Sequence, residues 1–239
     1  MSKKSMHKDS TRYYRQIDVW QYVGAAMIIV GLVWFWLGHG MLAYYVPCVI
    51  TPLGLVLFLV FSSRHISDND MLDEQKHRIL DYDRQVTDRD DYSRYVLKQP
   101  ADVETEAYHM GTRAAYFKRG KNGTLISDRY VRTHFFFTHD NLVVCSRELS
   151  MTASREDAEA WSDTYAAIPY QGILSAVLEE NQTDIILSNT KKTVTAKWLE
   201  LVITGQEGEL LRVPVKNDMD MSTLCEELKR KARQMKHPD

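Results

Sequence analysis

Three patterns of apolar spacing follow one another along this chain and divide it. Residues 17–37 and 41–61 are two apolar stretches of equal length, separated by Gly38-His39-Gly40. Between positions 17 and 61 the one charged residue is Asp18. A helix needs about 20 apolar residues to cross a bilayer, so each stretch has the length of one span and a single helix over both would overshoot. Gly38 and Gly40 accept the positive φ angles of a tight reversal. Trp34, Trp36, Tyr44 and Tyr45 flank it, as aromatic side chains do at a membrane–water boundary. The pattern therefore predicts a transmembrane helical hairpin over 17–62, with spans at 17–37 and 41–61. Gly24, Ala25 and Gly31 give the first span small side chains that allow close helix packing.

A heptad-like spacing comes next. Leu72, Ile79 and Val86 recur every seven residues, with Met71 and Tyr82 beside the same stripe. Ser67 or Asp68 is a suitable N-cap, and Pro100 ends the segment. The expectation for 63–100 is a charged linker helix, solvated and connecting rather than dimerising. From about residue 104 the period shortens to two. "RTHFFFTHDNLVVCS" reads as strands 131–138 and 142–146 turning at His139-Asp140-Asn141. "AYFKRGKNGTLI" reads as a hairpin around Asn122-Gly123. "IPYQGILSAVLEE" begins another strand pair, "TDIILSNTKKTVTAKWLELVI" turns at 189–192, and "TGQEGELLRVPV" turns at 205–208. Between them, 150–163 has the composition of one short helix capped by Ser154. The last change is back to a helical period. Met221, Leu224, Leu228, Ala232 and Met235 share one stripe, and cations gather toward its C-terminal end, where they favour the helix dipole. About seven antiparallel strands closed by one amphipathic helix make 101–239 an α+β domain, a bent sheet or small barrel with the helix over one opening.

Charge adds an orientation. The basic N-terminus, 1–16, carries Lys3, Lys4, Lys8, Arg12 and Arg15, whereas the turn between the spans has only His39. By the positive-inside rule both termini face the cytoplasm, which predicts a multi-pass protein of the cytoplasmic (inner) membrane. The net charge of −2 gives no whole-chain argument for nucleic-acid binding. Cys48, Cys145 and Cys225 are widely spaced and form no disulfide framework.

Several segments resemble bacterial pleckstrin-homology-like domains. "FFFTHDNLVV" is similar to their strand pair in which a Thr precedes an apolar strand. "IPYQGILSAVLEE" is similar to their Ile-Pro-x-x-x-Ile-x-x-Val segment, and "LLRVPVKNDMDMSTLCEELKRKA" to their last strand and closing helix. Two spans attached to such a domain also occur in the YcxB-like group of bacterial membrane proteins. The resemblance covers roughly 104–236 and departs from the pattern between 148 and 162, where an insertion leaves strand pairing open. It implies a PH-like antiparallel β-barrel with a C-terminal helix, in a binding or scaffolding role.

No constellation for catalysis, metal or cofactor emerges. "GKNGT" lacks the order of a phosphate loop. His134 and His139, five apart, would face opposite sides of a continuous strand and read as surface and edge polar residues. Cys145 reads as a small buried hydrophobe. The one candidate site is basic: Lys118, Arg119 and Lys121 at a hairpin tip, with Arg129 and Arg132 following, a set suited to anionic lipid headgroups. The sequence thus predicts a non-enzymatic membrane-anchored scaffold whose partners are membrane lipid and a protein or a second copy of itself, with no nucleic acid or small-molecule substrate. The alternative is an accessory subunit of a larger membrane complex or transporter, packed through its hairpin.

Overall fold

The computed structural model describes residues 13–14, 19–37, 42–62, 68–88, 100–120, 122–153 and 160–236. The protein is α+β, with helices α1 (Val19–Leu37), α2 (Leu42–Ser62), α3 (Asp68–Asp88) and α4 (Met219–Lys236) and open antiparallel sheets. It divides into two compact units, 1–67 and 68–239.

In the first unit α1 and α2 touch through small residues. A Cβ on Gly24 would lie 2.7 Å from the Phe58 nitrogen and 2.9 Å from the Gly54 oxygen, and one on Gly31 would collide with Thr51 Oγ1. Backbones this close leave no room for a side chain, which is the small-residue packing expected from Gly24 and Gly31. Gly54 supplies the opposing surface on α2, a helix that also carries Pro47 and Pro52. Within α1, Trp20–Leu37 is long and apolar enough to cross a membrane, while the apolar part of α2, Tyr45–Phe61, is shorter. The expected Gly38-His39-Gly40 reversal, Asp18 and the N-terminal cations lie outside the described residues.

Among the described residues the second unit has nine strands rather than about seven. β1 (Val103–Tyr108), β4 (Arg129–Phe137), β5 (Asn141–Ser150) and β6 (Trp161–Pro169) form one sheet in the order β1-β4-β5-β6. β2 (Phe117–Arg119) and β3 (Leu125–Ser127) form a hairpin, and β7 (Ile173–Ile186), β8 (Thr193–Gly205) and β9 (Gly208–Val215) form a second sheet in sequence order. The turns fall where the sequence places them. Gly123, Lys191 and Gly208 all have positive φ, the left-handed conformation that closes the three hairpins.

Two expectations are corrected. "IPYQGILSAVLEE" opens the β7–β8 pair as expected, but that pair does not begin at Ile168: Ile168-Pro169 ends β6, Tyr170–Gly172 forms a 3-10 turn, and Ile173 starts β7 in the other sheet. Tyr170 pins this corner, its amide donating to the Asp140 carbonyl at 3.0 Å and its hydroxyl to the Thr138 carbonyl at 3.3 Å. The region 148–162 does not interrupt pairing either, because β5 runs to Ser150 and Leu149 opposes Trp161 on β6. The Ser154 cap and most of the short helix expected there lie outside the described residues.

The main core lies between the inner faces of the sheets and α4. Phe135, Val144, Ile173, Ala176, Leu201 and Ile203 are fully buried there with the predicted α4 stripe, of which Met221, Leu224 and Leu228 are wholly buried. The β2–β3 hairpin is fastened to the second sheet by Phe117, packed with Ile185 and Leu187, and by reciprocal bonds between Phe117 and Ser188. Truncating a fully buried Leu leaves a cavity, so Leu228→Ala is expected to cost about 2–5 kcal/mol. Thermal melting of the full chain, followed through the β-sheet signal, checks this; an unchanged midpoint would contradict the placement of α4.

Candidate functional site

α3 is the element that turns this fold into one with a site. Its sequence, DNDMLDEQKHRILDYDRQVTD, is mostly polar and charged and has few apolar anchors. The face it buries carries Met71, Gln75, Arg78 and Tyr82, whereas Leu72 is 43% exposed. The buried face is thus displaced by one position from the expected Leu72–Ile79 spacing; the Val86 side chain and residues 89–99 lie outside the described residues. α3 belongs to the same compact unit as the sheets rather than standing apart as a solvated connector.

What docks α3 is a series of polar clamps around one aromatic anchor. Tyr82 is 1% exposed and packs with Phe136, Val143 and Cys145 on the outer face of the first sheet. The Arg147 guanidinium lies 4.5 Å from the Tyr82 ring centroid and is held bidentately by Asp163 at 2.5 and 2.7 Å. One turn earlier, Arg78 donates to the Ser150 carbonyl at 2.7 Å and the Ala153 carbonyl at 3.1 Å. At the helix start Asp68 accepts from Lys118 Nζ at 3.1 Å, and the Tyr108 hydroxyl donates to Gln75 Oε1 at 2.9 Å.

The Asp83 clamp gathers the most charge. His134 Nε2 donates to Asp83 at 3.0 Å, both Arg132 Nε and Nη2 approach the same carboxylate at 3.4 Å, and Arg132 also pairs with Glu104 and Glu106. Burial alone would raise the Asp83 carboxyl, but the His134 hydrogen bond and the Arg132 charge bring it below the ordinary aspartate value. His134 is therefore not a surface residue: it is 4% exposed, with Nδ1 3.5 Å from Glu104. His139, in contrast, stands exposed in the β4–β5 turn beside Asp140. With both His134 nitrogens engaged, this group fastens α3 to β4. Among the described residues no group of three His, Cys, Asp or Glu side chains is arranged to hold a metal. Cys145 is buried, and burial pushes its thiol up to about 12, which leaves it unreactive at neutral pH.

These clamps occupy most of the basic set. Lys118 is bound to Asp68, Arg129 lies 3.8 Å from Glu148, and Arg132 lies among three carboxylates. Lys121 is outside the described residues. Arg119 lines a cleft of about 740 Å³, bounded by α3, β1, the β2–β3 hairpin and the β8–β9 edge of the second sheet. Its apolar surface comes from Ile79, Tyr108, Met110, Leu125, Trp198 and Val215. Tyr108 and Tyr130 pack edge to face with centroids 5.0 Å apart, a favoured aromatic geometry. Burial pushes the Tyr108 phenol up to about 12, so it stays a hydrogen-bond donor. Around this floor stand Lys76, Arg119, Lys197 and Lys216, cations brought from four different elements or their ends. Of these, the sequence alone points to Arg119 only. No family model, no curated protein and no solved structure matches the chain.

Because the folded Asp83 carboxyl lies below its ordinary value, its contribution to stability is complete above that value and is lost as pH falls through the lower folded one. Asp83→Asn removes that contribution. The melting-temperature gap between wild type and Asp83→Asn is expected to be widest near neutrality and to close on titration to about pH 2. A gap that is constant with pH would contradict the clamp.

Proposed function

We propose that the protein is a non-enzymatic, membrane-anchored binding or scaffolding module. The observation that carries this reading is the outward apolar surface of α1, where Trp34, Phe35, Trp36 and Leu37 are each about half exposed or more. A patch of this size in water would be an aggregation hazard, whereas in lipid it is the normal exterior of a span. The close Gly24–Gly54 contact supports pairing α1 with α2 as a transmembrane hairpin. The N-terminal cations support an orientation with both termini in the cytoplasm. In the second unit, a four-stranded and a three-stranded antiparallel sheet closed by a C-terminal helix support the PH-like reading drawn from the sequence, a fold of binding domains. On this reading the domain is presented at the inner face of the membrane to a protein partner or to anionic lipid headgroups.

The exposed apolar surface of α1 also fits a second reading, an accessory subunit packed through the hairpin against other spans. Co-purification of the full chain in mild detergent tests both. A stoichiometric partner that survives Ile29→Ala combined with Trp36→Ala, two exposed positions of α1, but is lost from chains altered in the second unit supports the scaffold; loss with the α1 pair alone supports the accessory subunit. The anchor itself is expected to resist alkaline carbonate extraction, and a reporter fused at the C-terminus is expected to read as cytoplasmic. An extractable protein or an exported C-terminus would contradict the proposal.

A further inference from the structure

Polar clamps consume most of the charge on the second unit, yet the rim of the cleft escapes them. Lys118, Arg132, Arg147 and Arg212 each have carboxylate partners within 3.4 Å. Lys76, Arg119 and Lys216 form no ion pair with any described residue, and Lys197 pairs only at 3.4 Å with Glu180 on the exposed surface of the sheet. Among the described residues the one carboxylate lining the cleft is Glu106, which lies 3.7 Å from Arg132. The cleft therefore presents three cations with no ion-pair partner among the described residues, beside a single lining carboxylate that is already engaged. An anion entering the cleft therefore meets these cations without having to displace a carboxylate from them.

The floor is of the opposite character. Met110 and Val215 are buried, and Tyr108 and Trp198 are half-buried, so the floor is apolar and aromatic. Tyr108 is tied to Gln75 on α3, and the Trp198 indole donates to Glu200 at 2.9 Å, so both rings are held in place before a ligand arrives. The cavity has the size of a small-molecule site, and such sites are likewise mostly apolar with a few convergent polar groups.

From this juxtaposition we infer that the cleft is a binding site for an anion with a compact apolar or aromatic body. Its acidic head, a phosphate or carboxylate, is held by Lys76, Arg119 and Lys216, and its body lies on Tyr108 and Trp198. The inference rests on the reading of the second unit as a binding module and adds the chemical class of its ligand. It moves that ligand away from the hairpin tip to a site with α3 as one wall. The same chemistry is offered by an anionic membrane lipid and by a free amphiphilic acid.

The test is isothermal titration of the full chain in phosphatidylcholine nanodiscs with three probes: hexyl phosphate, inorganic phosphate and hexanol. Hexyl phosphate is expected to bind at least about tenfold more tightly than either of the others, because it alone satisfies both rim and floor. Lys76→Ala combined with Lys216→Ala is expected to weaken hexyl phosphate by at least about tenfold, while Lys192→Ala, an exposed cation away from the cleft, leaves it unchanged. These are surface positions, and an unchanged melting temperature confirms that the variants are folded. Equal affinity for hexyl and inorganic phosphate, or wild-type affinity in the double variant, would overturn the site. Repeating the titration in nanodiscs containing phosphatidylglycerol assigns the source. Weaker apparent binding there identifies a membrane lipid as occupant, and unchanged binding identifies a soluble acid; both uphold the ligand class. A partner recovered by co-purification together with no hexyl phosphate binding would leave the scaffold standing and remove this inference alone.

Discussion

The docking of α3 through buried charge is the interaction on which the rest of the second unit depends. A helix with this little apolar surface cannot be held by hydrophobic burial alone, so its carboxylates and guanidinium must find partners as they leave water. Asp83 finds Arg132 and His134, Arg78 finds two backbone carbonyls, and Asp68 finds Lys118. Breaking one partner of such a set leaves the other buried and uncompensated, which makes the docking specific as well as stable. Once docked, α3 covers the outer face of β4 and β5 and becomes a wall of the cleft. The same contacts explain why Lys118 and Arg132 are committed to structure while Lys76 and Arg119 remain available.

Covering both faces changes how the first sheet reads in sequence. Phe135, Leu142 and Val144 face the core closed by α4, while Phe136, Val143 and Cys145 face Tyr82. A sheet buried on both sides has continuous apolar strands instead of alternating ones. "FFF" and "LVVC" are such runs, and they are the signal that something packs on the outer face. The loosely periodic apolar residues of 68–88 then have an obvious place. Their register escapes sequence reasoning because Gln75 and Arg78, polar residues with dedicated partners, occupy buried positions that a hydrophobicity pattern assigns to solvent.

Local chemistry is the most legible. Asn122-Gly123, Gly205 to Gly208 and the Met221–Met235 stripe each follow from a few adjacent residues, and each is found where expected. β6 is hidden because Trp161–Pro169 is largely exposed and follows an acid-rich stretch; its strand conformation is imposed by pairing with β5. Nothing local marks the cleft. Lys76 and Lys216 are far apart in the chain, and their convergence is a product of α3 docking and of the turn after β9. The basic tip, conspicuous in sequence, is divided in the fold, with Lys118 committed to Asp68 and Arg119 left at the cleft.

The charged helix is an integral wall of the domain and not a tether. Amide hydrogen exchange of the full chain in nanodiscs tests it most directly. If α3 is clamped as described, the amides between Met71 and Tyr82 exchange slowly, and Arg132→Gln accelerates them while the amides of β8 keep their protection. Exchange in that helix as fast as in a solvated helix, and insensitive to Arg132→Gln, would make α3 a tether instead.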